Sequence, residues 1–129
     1  MALAVVAAAV TAVAVLWPLV PDPKGFDTHT QLGMRPCGWP TVYGIPCPTC
    51  GCTTAATHVV HGRLPTAIAT QPFGAAIAVV GLLLALHAGY CLVRGRSFVD
   101  LIVRLRFGRW VAGAALLLLL AWGYKWLTF

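Results

Sequence analysis

Cys47-Pro48-Thr49-Cys50-Gly51-Cys52 holds three of the chain's five cysteines within six residues, and Cys37 precedes Cys47 by ten positions in the same segment. Two thiols at C-x-x-C spacing can share one metal ion or close a reversible disulfide. Pro48 and Gly51 let the loop turn, so that thiolates and backbone N–H groups can surround one ion. A closed zinc site needs four ligands. Cys47 and Cys50 supply two, and Cys37, Cys52, His58 and His61 are the candidates for the others. His58 comes eight residues after Cys50, about 12 Å along a helix, so it reaches the thiols only if the segment bends back. The same cysteines, Cys37, Cys47, Cys50 and Cys52, can instead form a redox dithiol with Cys37 as shuttle, or structural disulfides. Cys50 lies near the start of a short helix, where partial positive charge lowers a thiol pKa.

The elements that must position these thiols are apolar. The chain has 129 residues, of which 60% are hydrophobic and 9% charged, against about 25% charged in an ordinary soluble domain. Too few charges remain to cover a water-facing surface, and the apolar surplus suits lipid. The net charge is +6, but five of the nine basic residues fall between Arg94 and Arg109. That is a juxtamembrane pattern and excludes nucleic acid as a partner. Only three acidic residues are present, which argues against acid–base catalysis as the function. There is no Ser-His-Asp arrangement, no phosphate-binding glycine loop and no internal repeat. No residue is assigned a catalytic role, and His29 reads as a solvated linker residue.

The pattern predicts an all-α, multi-pass membrane protein, residues 1–129 forming one membrane domain with three transmembrane helices. Residues 1–20 carry no charge, and at 1.5 Å per residue they cover the hydrocarbon core of roughly 30 Å. Residues 73–93 and 110–127 form the second and third spans. Lys125, near the end of the third, is placed to snorkel to the headgroups. No Lys or Arg precedes the first run, the run is long and no A-x-A cleavage site follows it, so it reads as a retained helix rather than a signal peptide. Segment 94–109 carries five arginines against Asp100, whereas segment 21–72 carries Lys24, Arg35 and Arg63 against Asp22 and Asp27. The positive-inside rule puts 94–109, and the amino terminus, in the cytoplasm. The Cys-rich segment 21–72 then faces the outer, oxidising side. Trp17, Trp122, Tyr124 and Trp126 mark one interface, and Tyr90 and Trp110 the other.

Smaller elements follow from local spacing. Phe98, Leu101, Ile102 and Leu105 repeat at i, i+3, i+4, i+7 after Ser97, which predicts an amphipathic helix on the cytoplasmic membrane surface. From Thr49 the chain reads as a helix of about three turns ended by Gly62, with one or two further turns over Leu64–Thr70 ended before Pro72. Both pieces are too short to span and are expected at the interface. In the second span Gly74, Ala78, Gly81, Ala85 and Gly89 form a ridge of small residues, which predicts close packing on the first span or on a partner. His87 and Cys91, i and i+4 in the same span, are intramembrane polar residues on one face. They lie too far along the helix to join the outer cysteines.

Cys37, then Gly44-Ile45-Pro46-Cys47-Pro48-Thr49-Cys50-Gly51-Cys52-Thr53, a helix, His61-Gly62, Ala67 and Gln71-Pro72 before a span, resembles the bacterial membrane family grouped as "domain of unknown function 2752". The resemblance covers about residues 36–93. Two positions depart from the family pattern: Thr54 stands where an arginine is usual, and Gln71 where an asparagine is usual. The resemblance implies a small inner-membrane protein and supplies no activity.

Taken together, these features predict a small accessory or scaffold subunit of a larger membrane complex. Its partners would be membrane lipids and other membrane subunits. It would sit in the bacterial inner membrane, with a structural zinc knuckle or disulfide in its periplasmic loop. A membrane thiol–disulfide redox protein using Cys47 and Cys50 is one alternative, and a metal-binding protein with its own function is another.

Overall fold

The computed structural model of the protein describes residues 1–99 and 107–129. Among them the chain is all-helical, with no strand. In chain order, α1 spans Ala2–Leu16, a 3-10 helix spans Thr28–Leu32, and α2 spans Gly38–Tyr43. Then come α3 (Cys52–Val60), α4 (Leu64–Thr70), α5 (Pro72–Arg94) and α6 (Phe107–Thr128). The turns predicted after Ser97 fall on residues 100–106, outside the described residues.

Two of these helices, Pro72–Arg94 and Gly108–Thr128, are long and apolar enough to cross a membrane. The 23 residues of α5 correspond to about 35 Å. Pro72 starts that helix, where its missing N–H costs nothing, and Gly95 ends it in a left-handed conformation. α1 is apolar but has 15 residues, about 22 Å, which is shorter than the 1–20 run. Pro18 is the physical reason: it has no N–H to continue the ladder beyond Trp17.

α1 runs antiparallel to α5. Ala2, Val5 and Val6 of α1 pack on a buried cluster of Ala88, Cys91 and Phe98 at the far end of α5. At the near end, Val13 and Leu16 share a groove with Phe73 and Gly74. Phe98, expected on a lipid-facing stripe, is instead buried against α5 and α1. The short helices α3 and α4 pack on the start of α5 through Ala55, Ala67 and Ala75, which are almost fully buried. Gly74 permits this approach, because a Cβ there would sit 2.6 Å from Cys52 Cα.

The end of α6 closes over the same region. Trp122 Nε1 donates to Pro46 O at 2.9 Å, and Tyr124 OH donates to Ala69 O at 2.8 Å. Lys125 does not snorkel outward. It is 4% exposed, and its Nζ donates to Gly25 O and Thr70 O, both at 3.3 Å. Two peptide carbonyls from the Cys-rich segment hold this ammonium inside the fold. The segment 21–71 therefore gathers at one end of the bundle, and residues 95–99 lie at the other.

Candidate functional site

Two separate segments deliver three thiols to one point. Cys37 precedes α2. Its N–H donates to Asp27 Oδ1 at 3.1 Å, and Asp27 is the one described non-glycine residue with positive φ, +67°. Cys47 and Cys50 lie on a tight turn in which Cys50 N–H donates to Cys47 O at 3.0 Å. Cys52 N–H donates to Thr49 O at 3.0 Å and continues the winding into α3. Gly51 makes this possible. Its φ is +89°, and a Cβ would meet Gly25 O at 2.5 Å, so a side chain is excluded twice.

The Sγ atoms of Cys37 and Cys47 are 3.5 Å apart, those of Cys37 and Cys50 3.7 Å, and those of Cys47 and Cys50 2.9 Å. All three cysteines are free thiols and form a group whose geometry could hold a metal ion. Cys47 N–H also points at Cys50 Sγ, at 3.1 Å. Such N–H···S bonds stabilise negative charge on sulfur. Zn–S bonds of about 2.3 Å put tetrahedral sulfurs about 3.8 Å apart. The two Cys37 separations lie near that edge, and the Cys47–Cys50 pair would open by less than about 1 Å.

The thiols are electrostatically unequal. Burial opposes ionisation of Cys47, but hydrogen bonds with Cys50, Thr49 and Cys37 outweigh it and hold this thiol below its ordinary value. Burial and the hydrogen bond with Cys47 push Cys50 well above. Burial pushes Cys52 up to about 11, the charge of Cys47 adding to the effect and Lys125 opposing it.

A cleft of about 270 Å³ opens onto the three thiols, and its wall includes Asp27, His29 and Cys52. Thr49, Cys52 and Thr53 also line an apolar groove of about 650 Å³ between α1, α3 and α5. These three residues separate the polar cleft from the groove.

The candidate ligands divide clearly. The structure brings Cys37, Cys47 and Cys50 together. Cys52 is near but not in that group. His58 and His61 are not brought to the thiols. His61 Nε2 is bonded to Trp17 O at 3.0 Å, and the two rings lie 5.5 Å apart. The Nδ1 atoms of both histidines are buried without a partner. Burial, then the charges of Arg63 and His61, lower the pKa of His58. His87 and Cys91 face each other within α5, Nε2 to Sγ 3.5 Å, remote from the cleft. Sequence reasoning missed His29, which it left in solvent. It is half-buried in the cleft wall, and no local periodicity could reveal that, because the 3-10 helix carrying it is folded back on α3.

The two departures from the family pattern both belong to the frame. Thr54 is fully buried, with Oγ1 2.8 Å from Thr28 Oγ1. Gln71 is fully buried too, its Nε2 donating to Pro48 O at 3.3 Å. Gln71 thus ties the start of α5 to the thiol turn.

Fold and site define a small all-α chain with helices able to span a membrane and a three-thiol cluster at one end of them. Residues 37–85 of this chain match the family described as "Protein of unknown function (DUF2752)", and that stretch includes all three clustered cysteines. No curated protein and no solved structure matches the chain.

Proposed function

We propose that the protein is a small accessory subunit of a membrane complex, held by three spans, whose outer segment is organised by a zinc ion on Cys37, Cys47 and Cys50. The observation that carries this reading is the convergence of three free thiols, Cys37 from one segment and Cys47 and Cys50 from one tight turn, within 3.7 Å of one another. Three thiolates on one divalent ion leave a net negative charge. Lys125, a buried cation with no carboxylate beside it among the described residues, offers the compensating positive charge. Few buried apolar side chains hold this segment, so a metal cross-link would add what the core lacks.

α1 counts as the third span because Trp17 through Val20 extend its apolar run, and the arginine-rich connection 94–109 supports a cytoplasmic placement of the opposite end. The accessory role is supported by the small size and by the absence of any acid–base pair in the sequence. Intact mass of the detergent-purified chain, native and denatured, with and without alkylation, tests the metal. The expected result is a mass excess of one zinc that vanishes on denaturation, with all three thiols then alkylated. A hydrogen deficit with unreactive thiols and no metal would sink it.

One observation favours a second reading, thiol–disulfide exchange. The Cys47–Cys50 pair is the closest of the three, with the Cys47 thiol eased toward ionisation and the Cys50 thiol held protonated. That asymmetry suits an attacking and a resolving thiol. The alkylation arm of the same experiment separates it from the metal site.

A further inference from the structure

We propose that His29 is the fourth ligand of the ion held by Cys37, Cys47 and Cys50; the proposal rests on the metal reading above. Three thiolates leave one tetrahedral position open toward the cleft, and His29 forms part of that cleft's wall. Its tautomer is already set. His29 Nε2 lies 3.1 Å from Arg35 O, and a carbonyl can only accept, so Nε2 carries a proton and, in the neutral ring, Nδ1 is the nitrogen with the lone pair. A metal-binding histidine characteristically donates its other ring N–H to a backbone carbonyl in this way, which fixes both tautomer and ring orientation.

The element carrying His29 is tied to the site. Thr28, its neighbour, is fully buried. Thr28 Oγ1 lies 2.8 Å from Thr54 Oγ1 on α3 and accepts Asp22 N–H at 3.0 Å. On its other side, Asp27 accepts the N–H of Cys37 itself. The short helix is therefore locked between one thiol ligand and the helix that begins just after the other two.

The competing donors fare worse. Asp27 is engaged with Cys37 N–H. The backbone of Cys52 is pressed on Gly74, and its side chain faces the apolar groove as well as the cleft. His58 and His61 do not line the cleft. The His29 ring nitrogens also lie outside the close group, so the side chain turns across the cleft it shares with the thiols to complete an S₃N set on binding the ion.

The test uses the full-length chain in detergent, reduced, stripped of metal and titrated with Co²⁺, with helicity followed by circular dichroism. Wild type should bind one Co²⁺ with thiolate charge-transfer bands and the visible bands of a tetrahedral S₃N site. His29→Ala should weaken Co²⁺ binding roughly tenfold or more and shift the visible bands. His29→Cys should restore tight binding with an S₄ spectrum, which guards against reading a folding defect as ligand loss. Unchanged affinity and bands in His29→Ala, or failure of His29→Cys to restore binding, overturns the role of His29 and leaves the three-thiol site standing. Failure of wild type itself to bind Co²⁺ overturns the metal reading, and His29 with it.

Discussion

The chain places cysteines at both ends of α5, and the two ends treat them differently. At one end, Cys37, Cys47 and Cys50 sit among backbone donors, a buried ammonium and a polar cleft. At the other, Cys91 is 3% exposed and packs with Ala88 and Phe98, its thiol meeting His87 of its own helix among the described residues. The side chain is the same. The difference is what converges on it: turns from distant parts of the chain in the first case, and one helix face in the second. Thiol chemistry follows from backbone N–H groups and neighbouring thiols, which only irregular, cross-linked segments can supply.

The sharpest way to break this comparison is to remove thiols at each end in turn. Cys47→Ser with Cys50→Ser should reduce bound zinc from about one per chain to none, since a site with one thiolate left retains little of the affinity of a structural zinc centre. Elemental analysis of purified protein reads this directly. Retention of metal by the double variant would place the ion elsewhere.

Gly51→Ala asks whether the turn geometry matters as much as the thiols. The substitution costs about 1–2 kcal/mol for a left-handed conformation, and the contact with Gly25 O adds about 1–3 kcal/mol. Thermal unfolding in detergent should fall accordingly, with metal affinity falling too. Gly81→Ala in the middle of α5, where a Cβ meets nothing within 4 Å, should be neutral or slightly stabilising.

Alkylation of the metal-free, reduced chain sharpens the contrast among the thiols themselves. The Cys47 thiol is depressed, so its thiolate, and its reactivity, should be gained at lower pH than for a free thiol. Cys52 is raised from its ordinary 9.0 to about 11, so at pH 8 its thiolate fraction should be about 100-fold lower than that of a free thiol. Its contribution to stability has the opposite sign to that of Cys47. The folded state resists deprotonation of Cys52, so stability is lost as pH rises from about 9 toward about 11. Mass-resolved alkylation rates between pH 6 and 10 check the order, and equal rates at Cys47 and Cys52 would contradict it.

Lys125→Met keeps the length and apolar stem but removes both donors. Gly25 O and Thr70 O lose their partner, at about 1–3 kcal/mol. Unfolding in detergent should shift by that amount, and metal affinity should weaken because the compensating charge is gone. If stability falls and metal affinity does not, the ammonium serves the carbonyls alone.

How much of this the sequence could reveal depended on the range of the interaction. The helical class and the two long apolar helices are written in composition and run length, which are local. The cluster of Cys47 and Cys50 is local too, through their spacing. What could not be read was anything that required knowing which distant segments meet. Cys37 was one of four candidates for the remaining ligands, and only the fold of α2 against the turn separates it from His58 and His61. His29 looked solvated because polar neighbours surround it in sequence. Lys125 looked like a snorkelling residue, because nothing in the third apolar run indicates that two carbonyls from the Cys-rich segment wait at its end. The first apolar run suggested twenty helical residues, and Pro18 stops the helix at Leu16.

Among the cysteine variants Cys91→Ala carries the smallest expected effect, and it closes the comparison from the apolar end. The residue is buried and unstrained, with no hydrogen bond beyond the 3.5 Å approach to His87 Nε2. Replacing sulfur by hydrogen leaves a void smaller than a methylene pair, worth about 1 kcal/mol. The Ala88–Phe98 cluster with Ala2, Val5 and Val6 should relax around it, so unfolding should shift by about 3–5 °C at most. Bound metal and alkylation of the other four thiols should not change. A loss of metal on Cys91→Ala would mean that the two ends of α5 are coupled, since α5 carries Cys91 at one end and Gln71 holds the thiol turn at the other. The physical route would be a shift of that whole helix against α1. A cavity of this size in a helical bundle supplies too little energy for that, which is why the variant is a test of separateness rather than of stability.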